Sequence, residues 1–240
     1  MSSFEQTERD FQKLERGTPR LNAMRDAIHE ADRQQDLKWR FWFRYDYIEE
    51  SVFCGDRYHA VIMFPELLAL YDDSPELQEK VRPSMMVTFR WIVEAVQEFP
   101  QISKTEIDSY FRAFKRRLIE YGYSLHIYYH KRSKFYMYID KAIAAADFYR
   151  FLEAPIDEIS DGKELAYSHQ VHYYLSIGDE EAAEKAAAPL LNVRLTSGNL
   201  PATLYDHFTD YYVYTTQEFD KAEKFARLTD PYIDGNPYNM

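Results

Sequence analysis

Five of the seven histidines in this chain fall in its second half, as His126 and His130, His169 and His172, and His207. His126 and His130 stand four apart, so a helix would place both imidazoles on one face. That spacing suits a zinc pair, or an acid and base within reach of one another. A zinc site also needs a further ligand and groups that orient the first ones, and Ile127 sits where the metalloprotease pattern has glutamate. The favoured reading is therefore of half-buried or groove-lining histidines among tyrosines, with no metal and no cofactor.

A second constellation is basic: Arg112, Lys115, Arg116 and Arg117, then Lys131, Arg132 and Lys134, interleaved with Tyr128, Tyr129, Phe135 and Tyr136. Aromatics between cations can stack bases, so RNA binding is one reading. Solvated helix faces and cations favoured at helix C-termini are the better one. The net charge of −11 opposes a nucleic-acid partner, since affinity for phosphate comes from clustered Lys and Arg. It would favour a basic protein partner at modest salt. Cys54 lies in an apolar run and reads as a packed thiol. The sequence contains no glycine-rich phosphate loop, Gly-x-Ser-x-Gly or Cys-x-x-Cys. No catalytic residue is nominated, and the chain is read as a non-enzyme.

The elements that must position these groups are helical. Only 7 of 240 residues are glycine, while aromatics reach 17% with 21 tyrosines, so hairpins have little to turn on and large flat side chains exceed the needs of a small core. Thr18-Pro19 starts a helix whose apolar positions run Leu21, Met24, Ile28 and Ala31. Leu37 to Phe53 carries Trp39, Phe43, Tyr47 and Ile48 on one stripe. Gly55-Asp56 separates it from a helix with Ala60, Phe64, Leu67 and Tyr71. Leu77 to Phe99 reads as one long helix, broken at Pro100. Ser103, with Glu106 three residues on, is a capping box for a helix ending at Gly122. A short helix near Ser124 to Lys131 leads into a long one running from Phe135 to Leu152. Lys163 to Ile177 and Glu180 to Leu191 pair across Gly178-Asp179, and Leu200 to Thr215 and Glu218 to Leu228 across Thr216-Gln217. First helices thus recur every roughly 35 to 45 residues, the range of helical repeats.

The fold expected is all-α: about five antiparallel helix pairs, near 36–72, 76–121, 123–154, 162–192 and 199–230, with an N-terminal cap over 1–35. Pro155 to Gly162 is the loosest join. No segment is apolar for long enough to cross a bilayer. Met1 to Arg16 lacks the apolar core of an export signal, and the single cysteine fits a reducing compartment, so a cytoplasmic location is expected.

In places the residues resemble tetratricopeptide repeats. Tyr167, Tyr174, Gly178-Asp179 and Ala183 look like that pattern in the fourth pair, Gly55-Asp56, Ala60 and Phe64 in the first, and Phe219, Ala222 and Ala226 in the fifth. Alanine lets the second helix lie close to the first, and glycine takes the left-handed cap. The second and third pairs lack the Gly-Asp turn. The resemblance implies a right-handed superhelical array, a tetratricopeptide-like α-solenoid, that binds peptides or protein partners in the concave face made by first helices.

Aligned on the Gly-Asp turns, that face would carry Trp42, Tyr45 and Glu49, then Arg90 and Glu94, then His126, Tyr129 and His130. Ser168 and His172 would follow, then His207, Tyr211 and Tyr214. Tyrosine gives large contact area at small entropic cost and keeps a hydroxyl for hydrogen bonding. The leading expectation is a protein- or peptide-binding adaptor, scaffold or inhibitor with a Tyr/His-rich groove. A peptide-sensing regulatory domain whose output domain lies elsewhere is the alternative. An RNA-binding or metal-dependent helical enzyme is the third.

Overall fold

A computed structural model of the chain describes residues 3–191 and 200–233, with the side chains of 4–190 and 203–229. Every regular element among the described residues is helical, so the fold is all-α. The chain divides into two compact units, Met1–Tyr123 and Ser124–Met240. Positions 192 and 199, which bound the fourth and fifth expected pairs, lie outside the described residues.

The first unit runs α1 (Ser3–Phe11), α2 (Thr18–Gln34), α3 (Leu37–Phe53), α4 (Arg57–Asp72), α5 (Pro75–Lys80), α6 (Arg82–Ala95) and α7 (Lys104–Glu120). Asp36 starts α3 by accepting from the Trp39 amide at 3.2 Å, and the Ser103–Glu106 capping box opens α7. Both satisfy amides that a helix start would leave unpaired. Helix α3 packs against α2, α4 and α6.

The N-terminal cap expected over 1–35, with one helix starting at Thr18-Pro19, holds two helices. Phe4 and Phe11 of α1 are buried, with ring centroids 5.7 and 5.6 Å from that of Phe43 in edge-on geometry. Two aromatics seven residues apart are what anchor this charged helix. The expected single helix over Leu77 to Phe99 is also corrected. Pro83 lacks an N–H and is tolerated only in a first turn, so the chain closes α5 at Val81, whose amide bonds Leu77 O at 2.9 Å, and restarts. The end of that stretch tightens to a 3-10 turn over Val96–Glu98 before Pro100.

The second unit runs α8 (His126–Tyr136), α9 (Lys141–Glu153), α10 (Lys163–Ser176), α11 (Glu180–Leu191), α12 (Leu200–Asp210) and α13 (Phe219–Ile233). Its helices pack as hairpins α8–α9, α10–α11 and α12–α13, and the first helices also touch in succession, α8 on α10 and α10 on α12. Gly178 takes φ +79°, which lets the Asp179 amide fold back to Tyr174 O at 2.9 Å and end α10. The break between α8 and α9 falls at 137–140, not after Lys131, so Phe135 belongs to the first of the two. Asp140 sets the restart by accepting from the Ala142 and Ile143 amides at 3.0 and 3.1 Å. Helix α12 continues as a π-helical turn over Tyr211–Thr216, where a regular α-helix is expected.

Candidate functional site

Four side chains nominated for the groove, His172, His207, Tyr211 and Tyr214, meet in one pocket of the second unit. On α12 and its π extension, His207, Asp210, Tyr211 and Tyr214 stand at i, i+3, i+4 and i+7 and share a face. Helix α10 offers His172 from its C-terminal half, and the α8–α9 turn brings in Tyr138. Together they line a cavity of about 520 Å³, within the ordinary range for ligand sites. The π turn puts Tyr212 into the core, hydrogen-bonded to Glu180, while Tyr214 stays 80% exposed at the rim.

The floor is a stack of imidazoles. The His172 and His207 rings lie 4.4 Å apart and 7° from parallel. The Tyr138 hydroxyl is 2.7 Å from Nε2 of His172, and Ser168 Oγ is 3.3 Å from Nε2 of His207. Burial pushes His172 down to about 4, with the Lys134 charge adding to it. Burial pushes His207 down to about 3, helped by His172 and Lys134. Both are therefore neutral at pH 7. Burial and the Asp210 carboxylate raise the Tyr138 phenol, so it stays protonated. The pocket thus offers neutral flat rings and hydroxyls, with Lys141 and Asp210 among the lining residues.

The remaining histidines lie deeper. His126 and His130 do share a face of α8, and that face is buried, with 3% and 4% of each residue exposed. Their rings sit 4.6 and 5.2 Å from that of Phe151. His130 also lies 4.4 Å from His169 and places Nδ1 3.0 Å from Asp161, which meets Lys131 Nζ at 2.7 Å. Burial holds His169 well below the ordinary histidine range. Among the described residues no three His, Cys, Asp or Glu side chains are arranged to hold a metal ion.

Tyr129 is half-buried, with the Arg150 guanidinium 5.8 Å over its ring. In the first unit Trp42 and Tyr45 are half-buried on α3 with ring centroids 5.4 Å apart, and Glu49 is half-buried one turn on. Beside them burial, Glu8 and Glu49 push Asp46 up to about 7. Arg90 is half-buried on α6. Much of the basic stretch is drawn into ion pairs: Arg117 with Asp72 and Arg132 with Asp147, each at 2.6 Å. Tyr128 and Tyr136 are buried, with Arg132 over both rings. Cys54 is exposed at the end of α3, not packed as expected; the apolar run before it belongs to the helix, and the thiol falls past its last turn.

Tyr138, Lys141 and Asp210 escape the sequence reading. The signal for the first two was Asp140, a helix-starting residue that marks 137–140 as a turn. Asp210 is three residues beyond His207 and on its face. Among the described residues no helix is long and apolar enough to cross a membrane. No protein-family model matches the chain, and neither a curated protein nor a solved structure matches it.

Proposed function

We propose that this chain is a non-catalytic, tetratricopeptide-like binding module that holds a segment of a protein or peptide partner, with the His172–His207 pocket as its anchor. The observation that carries this reading is the convergence of His172, Tyr211 and Tyr214, nominated for a groove from repeat phase alone, on one cavity with Tyr138 at its edge. Flat amphipathic rings suit recognition, since they give contact area and keep a hydrogen-bonding tip. General acid–base work fits the pocket poorly. Imidazoles near 3 and 4 lie far from the value near operating pH that proton transfer favours. The contact of α8 with α10 and of α10 with α12 agrees with first helices stacking side by side, as a repeat array requires. The overall charge of −11 favours a basic partner through long-range steering.

The test is affinity capture from a lysate with wild type and a His172→Ala, Tyr211→Ala double variant, quantified by mass spectrometry. A defined subset of proteins lost from the variant supports the reading. Equal recovery by two equally folded baits overturns it.

A further inference from the structure

Two opposite charges line the His172–His207 pocket and are spent on nothing. Several ionic groups elsewhere in the second unit are paired: Asp147 meets Arg132 at 2.6 Å, Asp161 meets Lys131 at 2.7 Å, and Glu180 meets Lys221 at 3.3 Å. Lys141 and Asp210 line the cavity and are both exposed, so an occupant can reach them. Neither side chain forms an ion pair or a hydrogen bond among the described residues, with the other or with any third group. Lys134 acts on both imidazoles but does not line the cavity. Since those rings are neutral at pH 7, the lining carries one cation and one anion.

The walls point to an occupant that reaches both. Tyr211, Tyr214 and Thr215 come from the π turn, a rare helix form that recurs at functional sites. The turn is fixed from behind, with Tyr212 buried and hydrogen-bonded to Glu180. It leaves Tyr214 80% exposed, while Tyr138 at the α8–α9 turn is 75% exposed, so two large rings stand in water beside one cavity. At about 520 Å³ the space exceeds three times the roughly 150 Å³ that holds benzene, enough for several side chains. An occupant that covers the cavity and answers one charge strips water from the other and leaves it unpaired, which opposes binding. A ligand of both signs meets no such penalty.

We infer that this pocket selects a partner segment carrying a basic and an acidic side chain close together, the basic one answered by Asp210 and the acidic one by Lys141. Apolar parts of the segment lie against Tyr138, Tyr211 and Tyr214. The inference rests on the reading of this pocket as the binding anchor and names the chemistry of what is anchored. The net charge of −11 draws basic partners at long range, and the pocket then discriminates among them, because a purely basic segment leaves Lys141 opposed.

The test is affinity selection of N-acetylated, C-amidated random hexapeptides on the full chain, read by mass spectrometry. Capping leaves side chains as the only charges. The retained peptides should carry Arg or Lys together with Asp or Glu within three positions, at least fivefold above the input, and Tyr211→Ala should abolish their retention. Asp210→Lys should remove the preference for basic residues, and Lys141→Glu the preference for acidic ones. Both substitutions fall at exposed positions, and circular dichroism verifies that helicity is unchanged. Retention that needs Tyr211 but ignores charge overturns the inference and leaves the anchor standing. Singly charged peptides retained as well as dipolar ones, or the same peptides retained by wild type and both charge variants, also overturn it. No retention by wild type overturns the inference and the anchor together.

Discussion

Acidification from pH 7 to pH 5 should loosen the second unit specifically. His172 and His207 titrate in the fold at about 4 and about 3, against an ordinary value of 6.5. A histidine depressed in this way adds stability that is fully present above 6.5 and is lost as pH falls from there toward the folded value. At pH 5 each imidazole would be protonated in the unfolded chain and still neutral in the fold. The loss is 1.5 pH units at 1.36 kcal/mol per unit, or about 2 kcal/mol per histidine. The two rings touch, so the pair together should lose about 2 to 4 kcal/mol. His126 and His169 are also depressed by burial and act in the same direction. In the first unit Asp46 opposes them, because a carboxyl raised to about 7 relieves a cost as pH falls through that value. Hydrogen exchange read peptide by peptide, corrected for the intrinsic pH dependence, separates the two units. Helices α10 and α12 should lose protection by 10-fold or more at pH 5 while α3 does not. A His172→Gln, His207→Gln variant should lose much less. Unchanged protection in α10 and α12, or equal losses in wild type and variant, would refute the reasoning.

Two further substitutions probe single features. Asp46→Asn should stabilise the first unit at pH 8 by about 2 kcal/mol, after discounting the full linkage value for partial exposure. That gain should shrink below pH 7, in urea titrations that follow the three tryptophans, all of which lie in that unit. Gly178→Ala should destabilise by about 1 to 2 kcal/mol in thermal melts, because φ is +79° while nothing lies within 4 Å of the added carbon, leaving backbone strain as the sole penalty.

Helices with their own punctuation were legible from sequence. Ser103 with Glu106, Gly178-Asp179 and Gly55-Asp56 each combine a stop or start with an apolar stripe, and the helices they bound lie where the pattern puts them. Breaks that leave the stripe running were not. Val81 and the 137–140 turn both sit inside continuous apolar spacing, and the decisive residues there are a proline in a first turn and an aspartate cap. Helix α1 is short and charged, and its two phenylalanines are too few to show a period. The same limits apply to the site. Repeat phase brought out His172, Tyr211 and Tyr214, but the misplaced break hid Tyr138 and Lys141. The spacing of His126 and His130 told that they share a face; that the face points inward depends on α9 and Phe151, which no local pattern reports.

The most direct measurement on the central claim is a selection of displayed random peptides on the immobilised protein, followed by fluorescence-anisotropy titration of an enriched sequence. The account predicts saturable binding to wild type, at least 10-fold weaker binding to a Tyr211→Ala, His172→Ala variant of unchanged helicity, and cross-links mapping to α10 and α12. An enriched peptide that binds both proteins equally, or cross-links confined to other helices, would contradict it.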